Sequence, residues 1–119
     1  FCVKEAKYIL KNLRGWTKKE RVSKTLALMT TKSYIIREPK GVVLIIAPWN
    51  YPFQLSIMPL LAAIASGNSV FLKSSEKTPH TSTLISEMAS ELFQPQDVVV
   101  FEGGEETVLL LLEENFILV

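Results

Sequence analysis

The stretch Gly41-Val42-Val43-Leu44-Ile45-Ile46-Ala47-Pro48-Trp49-Asn50-Tyr51-Pro52-Phe53 decides the fold. Its apolar run, Val42–Ala47, reads as a strand buried on both faces, the pattern of a parallel sheet covered by helices. The run empties into a turn holding two prolines, a tryptophan and an amide side chain. Leu55–Ser66 is apolar nearly all round, which predicts a helix buried between the sheet and its neighbours. Pro59 inside it predicts a kink or a later true start, and Gly67-Asn68 closes it. A second apolar strand, Ser69–Lys73, ends in Lys73-Ser74-Ser75-Glu76-Lys77-Thr78-Pro79. This is one β-α-β unit, with polar residues gathered at the carboxyl ends of the strands, where open α/β sheets bind ligands.

The alternation continues toward the carboxyl terminus. Thr78 as N-cap with Pro79 at the first helical position opens a helix. Leu84, Ile85, Met88 and Leu92 form its apolar stripe, and Pro95 stops it. Asp97–Phe101 is a third strand, Gly103-Gly104 turns the chain into a helix over Glu105–Glu114, and Phe116–Val119 begins a fourth strand. Toward the amino terminus, Val3, Ala6, Tyr8-Ile9-Leu10 and Leu13 recur at helical spacing, predicting an amphipathic helix over Val3–Leu13 that Gly15 ends. Thr17–Arg37 reads as a loop and a hairpin with extended patches at Leu26-Ala27-Leu28-Met29 and Ser33-Tyr34-Ile35-Ile36. The fold class is α/β, part of a Rossmann-like parallel sheet with flanking helices and right-handed crossovers. The organisation is an N-terminal helix over 1–16, a loop and extended β-arm over 17–40, and a partial α/β domain over 41–119.

Composition suits an interior slice of a larger protein. Hydrophobic residues make up 48% of the 119 residues, and mean hydropathy is +0.23. A small independent domain buries only roughly 60–70% of its unfolded surface and needs a more polar skin. The start without Met and the apolar close at Phe116-Ile117-Leu118-Val119 read as the ends of a fragment. The net charge of +1 is nearly balanced, and the cluster Lys18-Lys19-Glu20-Arg21 reads as a solvated loop. No aromatic platform or recognition helix accompanies it, so nucleic-acid binding is not expected. Cys2 is the only cysteine, which excludes an intramolecular disulfide and a cysteine metal cluster. A cytoplasmic location is expected, with membrane association of the longer protein left open. Val42–Ala65 is not a membrane span, because Pro48, Asn50, Pro52 and Gln54 break it well short of ~18 clean residues.

Several residues carry candidate chemistry. Asn50 offers a neutral amide donor at a strand end, suited to a developing alkoxide; equally it suits a helix cap near Phe53. Lys73 and Glu76 span a turn after the second strand, where the carboxylate could accept both hydroxyls of a ribose and the ammonium donate to one. They also read as an exposed salt-linked turn. Pro48 and Trp49 read as turn former and packing aromatic, and Gly103-Gly104 as a strand-to-helix turn. A Gly-x-Gly-x-x-Gly fingerprint is absent. His80 falls in the first turn of a helix, where a cation gains nothing from the macrodipole, whereas Glu102, Glu105 and Glu106 favour a helix start electrostatically. Cys2, far in sequence from the strand ends and without a neighbouring His, is not expected to be a catalytic thiol.

Pro48-Trp49-Asn50-Tyr51-Pro52, Gly67-Asn68 and Leu72-Lys73-x-Ser75-Glu76-x-Thr78-Pro79 together resemble the aldehyde dehydrogenase superfamily. Trp16, Tyr34-Ile35 and Glu38-Pro39-x-Gly41-Val42-Val43 resemble its class 3 branch, which acts on fatty or medium-chain aldehydes. The resemblance implies NAD(P)-dependent oxidation of an aldehyde to a carboxylate through a cysteine thiohemiacetal and thioester. It implies Asn50 in the oxyanion hole and Ile46, Ala47, Pro48 and Trp49 along the nicotinamide-side path of the cofactor. It further implies Lys73 and Glu76 on the adenosine ribose and Gly104 close to the adenine. NAD is the expected cofactor with NADP open, no metal is implied, and the longer protein is expected to be a homodimer, its β-arm serving dimerisation. The catalytic Cys and Glu of the family belong to motifs beyond residue 119, so the piece alone is expected to be inactive. Ser74 stands where the family motif has Pro, which implies a less stiff turn. The alternative is a non-catalytic α/β remnant or interaction module; acylating dehydrogenases that use coenzyme A are a close relative in chemistry, disfavoured by the class 3 features.

Overall fold

Three continuous apolar runs form the centre of the molecule. A computed structural model describes residues 1–23 and 30–114; the patch at Leu26–Met29 and the expected strand at Phe116–Val119 lie outside them. Helix α1 (Cys2–Trp16) leads to a short antiparallel pair, β1 (Glu20–Arg21) with β2 (Tyr34–Ile35). Then β3 (Val42–Ile46), α2 (Pro52–Ala65), β4 (Ser69–Lys73), α3 (Pro79–Leu92), β5 (Val98–Phe101) and α4 (Glu105–Glu113) alternate. The three central strands are parallel in the order β3-β4-β5.

The register levels the carboxyl ends. Ile46 pairs with Lys73, and Lys73 with Phe101. Every loop leaving the sheet at that end therefore starts from one edge. Alternation along the strands divides the side chains between two faces. Val43, Ile45, Val70, Leu72 and Val98 pack with Leu60 and Ala63 of α2 and Ile85 and Ala89 of α3 in one apolar cluster. Val70 and Leu72 are fully buried, each burial being worth about 1.5–3 kcal/mol. Lys73, one residue beyond Leu72, belongs to the opposite face, with Phe71 and Phe101, whose rings meet at 5.2 Å.

The opposite end of the sheet is tied by Asn68. Its Oδ1 accepts the backbone N–H groups of Lys40 at 2.7 Å and Gly41 at 3.0 Å, and its Nδ2 donates to the Ala63 carbonyl at 3.1 Å. Gly67, at φ 82°, supplies the left-handed turn that brings Asn68 there. One side chain thus joins the end of α2 to the entry of β3.

Three boundaries differ from those the sequence suggests. Gly15 does not end α1: the helix runs through Trp16, whose ring meets Tyr8 edge-on at 5.7 Å, and Thr17 N–H still donates to Leu13. A glycine in a helical conformation costs only about 0.5–1 kcal/mol relative to Ala. Helix α2 begins at Pro52, not Leu55, with Tyr51 as its cap residue and Pro52 at the first position, where a missing N–H costs nothing. Pro59 then lies inside the helix instead of marking its start. In the amino-terminal arm, Arg37 donates to the Trp16 carbonyl at 3.5 Å and to Glu20 at 3.1 Å, fastening the β1–β2 pair to the end of α1. The cluster read as a loop is part strand, since Glu20 and Arg21 are β1.

Candidate functional site

Six of the residues singled out in the sequence line one cleft. Ile46, Ala47, Pro48 and Trp49 from the exit of β3 face Lys73 and Glu76 from the exit of β4 across a volume of about 270 Å³. Ser75, Lys77, Glu105 and Val108 complete its wall. Two larger hollows, of about 570 and 520 Å³, flank α2 and are mainly apolar. The smaller cleft holds Lys73, Glu76, Lys77 and Glu105, whereas the larger two hold Glu38 with Lys40, and Glu5 with Arg37 and Glu38.

The charged centre of the cleft is a short ion pair. Lys73 Nζ donates to Glu76 Oε2 at 2.8 Å; the lysine side chain is 4% exposed and the glutamate 47%. The salt-linked turn that Lys-x-x-Glu offers as one reading is present, but only its glutamate is exposed; the lysine is buried. A buried ammonium requires a partner, and Glu76 provides it. The hydrogen bond from Lys73 holds the Glu76 carboxyl below its ordinary value, and a bond from Glu76's own backbone N–H acts in the same direction. An ammonium has three donors and a carboxylate about four acceptor positions. After their mutual bond, both groups retain capacity for ribose hydroxyls, so the residues present fit a nucleotide ribose.

The turn carrying Glu76 is held from below. The Ser75 carbonyl accepts from Thr78 N–H at 3.2 Å, Thr78 Oγ1 at 3.4 Å and Ser82 Oγ at 2.9 Å. Ser75 Oγ accepts from Lys77 N–H at 3.3 Å. Ser74, in place of the family's proline, donates its N–H to the Phe101 carbonyl at 3.3 Å. A proline has no such hydrogen. The expected loss of stiffness is thus countered by a bond that only the replacement makes. The Ser74 hydroxyl is buried without a hydrogen-bond partner among the described residues.

Asn50 and Gly104 stand beside the cleft and do not line it. Asn50 is exposed, and it does not cap α2; Tyr51 occupies the cap position, with φ 46° and ψ 50°. A tyrosine in the left-handed region is uncommon and costs energy. This one lies directly after the exit of β3, and it leaves the Asn50 amide uncommitted to the helix. Gly104 is occupied with its own turn: its N–H donates to Glu106 Oε1 at 2.9 Å. A bond from Glu106's own backbone N–H, and after it the one from Gly104, hold the Glu106 carboxyl below its ordinary value. At Gly103, φ is 138° and a Cβ would collide with Thr107 Oγ1. Both glycines have a local reason to be there.

Sequence reasoning missed Ser75, Lys77, Glu105 and Val108 as wall residues. For Glu105 and Val108 the available signal was position, the first turn of the helix that follows β5 at the same sheet edge. Cys2 lies nearer the β3 exit than its place in the chain suggests: it shares a hollow with Tyr51, Pro52, Phe53 and Gln54. His80 is exposed. Among the described residues no group of three or more His, Cys, Asp or Glu is arranged to hold a metal, and no helix is long and apolar enough to cross a membrane.

The family profile of the aldehyde dehydrogenases matches residues 2–117. The chain belongs to the aldehyde dehydrogenase family. It is 48% identical over 110 residues to 4,4'-diaponeurosporen-aldehyde dehydrogenase of Staphylococcus aureus, a match covering 92% of this chain and 24% of that protein. It is 42% identical over 112 residues to human aldehyde dehydrogenase family 3 member B1, covering 94% and 24%. Among solved structures, the substrate-bound state of Staphylococcus aureus AldH superposes with a TM-score of 0.92 at 45% identity, covering 95% of this chain and 25% of that one. The NAD-dependent aldehyde dehydrogenase of Sinorhizobium meliloti gives 0.78 at 32% identity, covering 97% and 22%. This aldehyde dehydrogenase chain thus spans about a quarter of the length of the curated relatives it matches. The likeness to family 3 members agrees with the class 3 features of the sequence.

Proposed function

We propose that the chain forms the ribose and nicotinamide-side walls of an NAD(P) site, and one oxyanion donor, in an enzyme that oxidises aldehydes to carboxylates. The observation that carries this reading is the Lys73–Glu76 pair, its lysine buried and its glutamate half-exposed, facing Ile46–Trp49 across one cleft at the carboxyl edge of a parallel sheet. In this role Glu76 accepts ribose hydroxyls while Lys73 fixes its orientation and donates alongside it. Pro48 and Trp49 shape the path toward the reacting centre and exclude water from it. The bound cofactor supplies the hydride acceptor.

Asn50 has the second role. Its amide donates to the oxygen that becomes negative when a thiolate adds to the aldehyde carbonyl, and a preorganised neutral donor stabilises that charge without being neutralised by it. The thiolate and the general base come from outside these 119 residues. The chain alone is therefore inactive as a dehydrogenase, yet it retains the means to bind nucleotide.

Trp49 provides the test. Titrating NAD into the chain should produce a saturable change in tryptophan fluorescence that Trp49→Phe removes and Glu76→Ala weakens. Absence of any saturable change with the wild-type chain would sink the reading.

A further inference from the structure

We propose that Tyr51 is a positioning residue whose left-handed backbone, and not its ring, keeps the Asn50 amide aimed away from α2; this rests on the oxyanion reading of Asn50. Among the described residues with positive φ, Gly41, Gly67 and Gly103 are glycines, and Tyr51 alone carries a side chain. Glycine, and at times asparagine or aspartate, visits that region routinely; tyrosine does not. The usual order is inverted here. Asparagine suits both a left-handed conformation and a helix cap, yet it stands one residue earlier and takes neither role.

Neither the ring nor the helix accounts for the inversion. The Tyr51 side chain is 75% exposed, so its packing does not hold the backbone in place. Pro52 disfavours a right-handed helical conformation at the residue before it, which keeps Tyr51 out of α2. It leaves open the extended conformation usual for a cap residue, but Tyr51 adopts φ 46° and ψ 50° instead. What remains is the path of the chain. Ala47 N–H donates to the Lys73 carbonyl at 2.9 Å, tying the exit of β3 to β4, and the Tyr51 carbonyl accepts from Leu55 N–H at 2.9 Å, starting α2. Pro48, Trp49 and Asn50 bridge these two anchors. Because α2 is packed on the sheet through Leu60 and Ala63, the two dihedrals of Tyr51 set the direction in which Asn50 leaves the helix. Strain of this kind persists where the surrounding structure over-determines it, and it gathers at functional sites. An Asn50 amide spent on capping α2 would be lost to the reacting oxygen, and no side-chain bond caps α2.

The experiment measures kcat of an active aldehyde dehydrogenase containing this segment, with Tyr51→Val or Tyr51→Asn, each alone and beside Asn50→Ala. Both replacements lack the ring; valine resists a left-handed backbone and asparagine accepts it. Tyr51→Val should lower kcat by about tenfold or more by displacing the donor, with nucleotide affinity unchanged. Tyr51→Asn should keep most of kcat and raise the unfolding midpoint. Beside Asn50→Ala, Tyr51→Val should lower kcat no further, because the side chain through which it acts is gone. Nucleotide affinity in the same samples reports that each variant is folded. If Tyr51→Val does not fold, Tyr51→Asn decides: retained kcat with a raised midpoint sustains the proposal, and a loss of kcat overturns it. Undiminished kcat in Tyr51→Val, equal losses from the two replacements, or a Tyr51→Val loss that persists in full beside Asn50→Ala each overturns the role of Tyr51. The oxyanion reading then still stands if Asn50→Ala alone lowers kcat. If Asn50→Ala alone has no effect, both fall.

Discussion

The backbone N–H of Ser74 donates to the carbonyl of Phe101 at 3.3 Å, adding a rung to the β4–β5 ladder just past Lys73, the last strand residue of β4. The site turn therefore departs from a sheet edge that is hydrogen-bonded up to its first residue. Ser74→Pro, which restores the usual family residue, removes a bond worth about 0.5–1.5 kcal/mol. It also stiffens the unfolded chain, returning about 0.4–1 kcal/mol. The net change in unfolding free energy should stay within about 1 kcal/mol by denaturant titration. A larger loss would mean that the rung supports more than the turn.

Lys73 and Glu76 make a pH prediction with a definite sign. The carboxyl of Glu76 is held below 4.5, its ordinary value, chiefly by the hydrogen bond from Lys73. A group depressed in the folded state contributes stability that is present above the unfolded value and is lost as pH falls through the folded one. In Lys73→Met the carboxyl should titrate closer to 4.5, followed by carbon-detected NMR of the Glu76 carboxylate. Nucleotide affinity of the wild-type chain should fall over that same acid range and stay level from there to neutral pH. A carboxyl that titrates at the same pH with and without Lys73 would show that the pair does not set it.

Leu72 tests the sheet itself. It is fully buried in the cluster between β4, α2 and α3. Leu72→Ala should cost about 2–5 kcal/mol through lost transfer energy and the cavity left behind. Thermal or chemical unfolding of the two chains measures it. A cost below 1 kcal/mol would contradict the packing described.

Asn50 tests chemistry, and its assay is an active aldehyde dehydrogenase containing this segment. Asn50→Ala should lower kcat by about 10²–10³, the usual cost of removing one oxyanion donor, with little change in nucleotide affinity. Asn50→Asp should do at least as much harm, because it places a negative charge where one develops. Equal kcat in wild type and Asn50→Ala would end the oxyanion assignment.

The parts of the fold legible in the sequence were those set by unbroken apolar runs. Ser69–Lys73 is a strand with those bounds, and Thr78-Pro79 opens α3 with Thr78 in the cap position and Pro79 in the first turn, although the Thr78 hydroxyl donates to the Ser75 carbonyl and makes no cap bond to the helix. The boundaries that differed have local causes. Tyr51 adopts a left-handed conformation that a tyrosine rarely takes, so the start of α2 at Pro52 was hidden behind it. Gly15 reads as a helix stop, but a stop by glycine depends on a positive φ, and Gly15 has none. The gathering of Ile46, Ala47, Pro48, Trp49, Lys73 and Glu76 followed from strand order and register, which a β-α-β pattern implies. The wall contributed by Glu105 and Val108 did not, because it depends on how α4 lies against the sheet edge. Whether Lys73 was buried or exposed was equally invisible, since the spacing Lys-x-x-Glu is the same in both cases.

Asn68 has a consequence for how such a site can diversify. With one amide knotting the exit of α2 to the entry of β3, alignment of the strands is settled at the pole remote from the cleft. The loop from Ser75 to Thr78, beyond the rung made by Ser74, is consequently relieved of any duty to hold β3 in step with β4. Replacing that loop wholesale should alter which nucleotide is recognised while the scaffold beneath keeps its shape, making the two poles separable modules of inheritance.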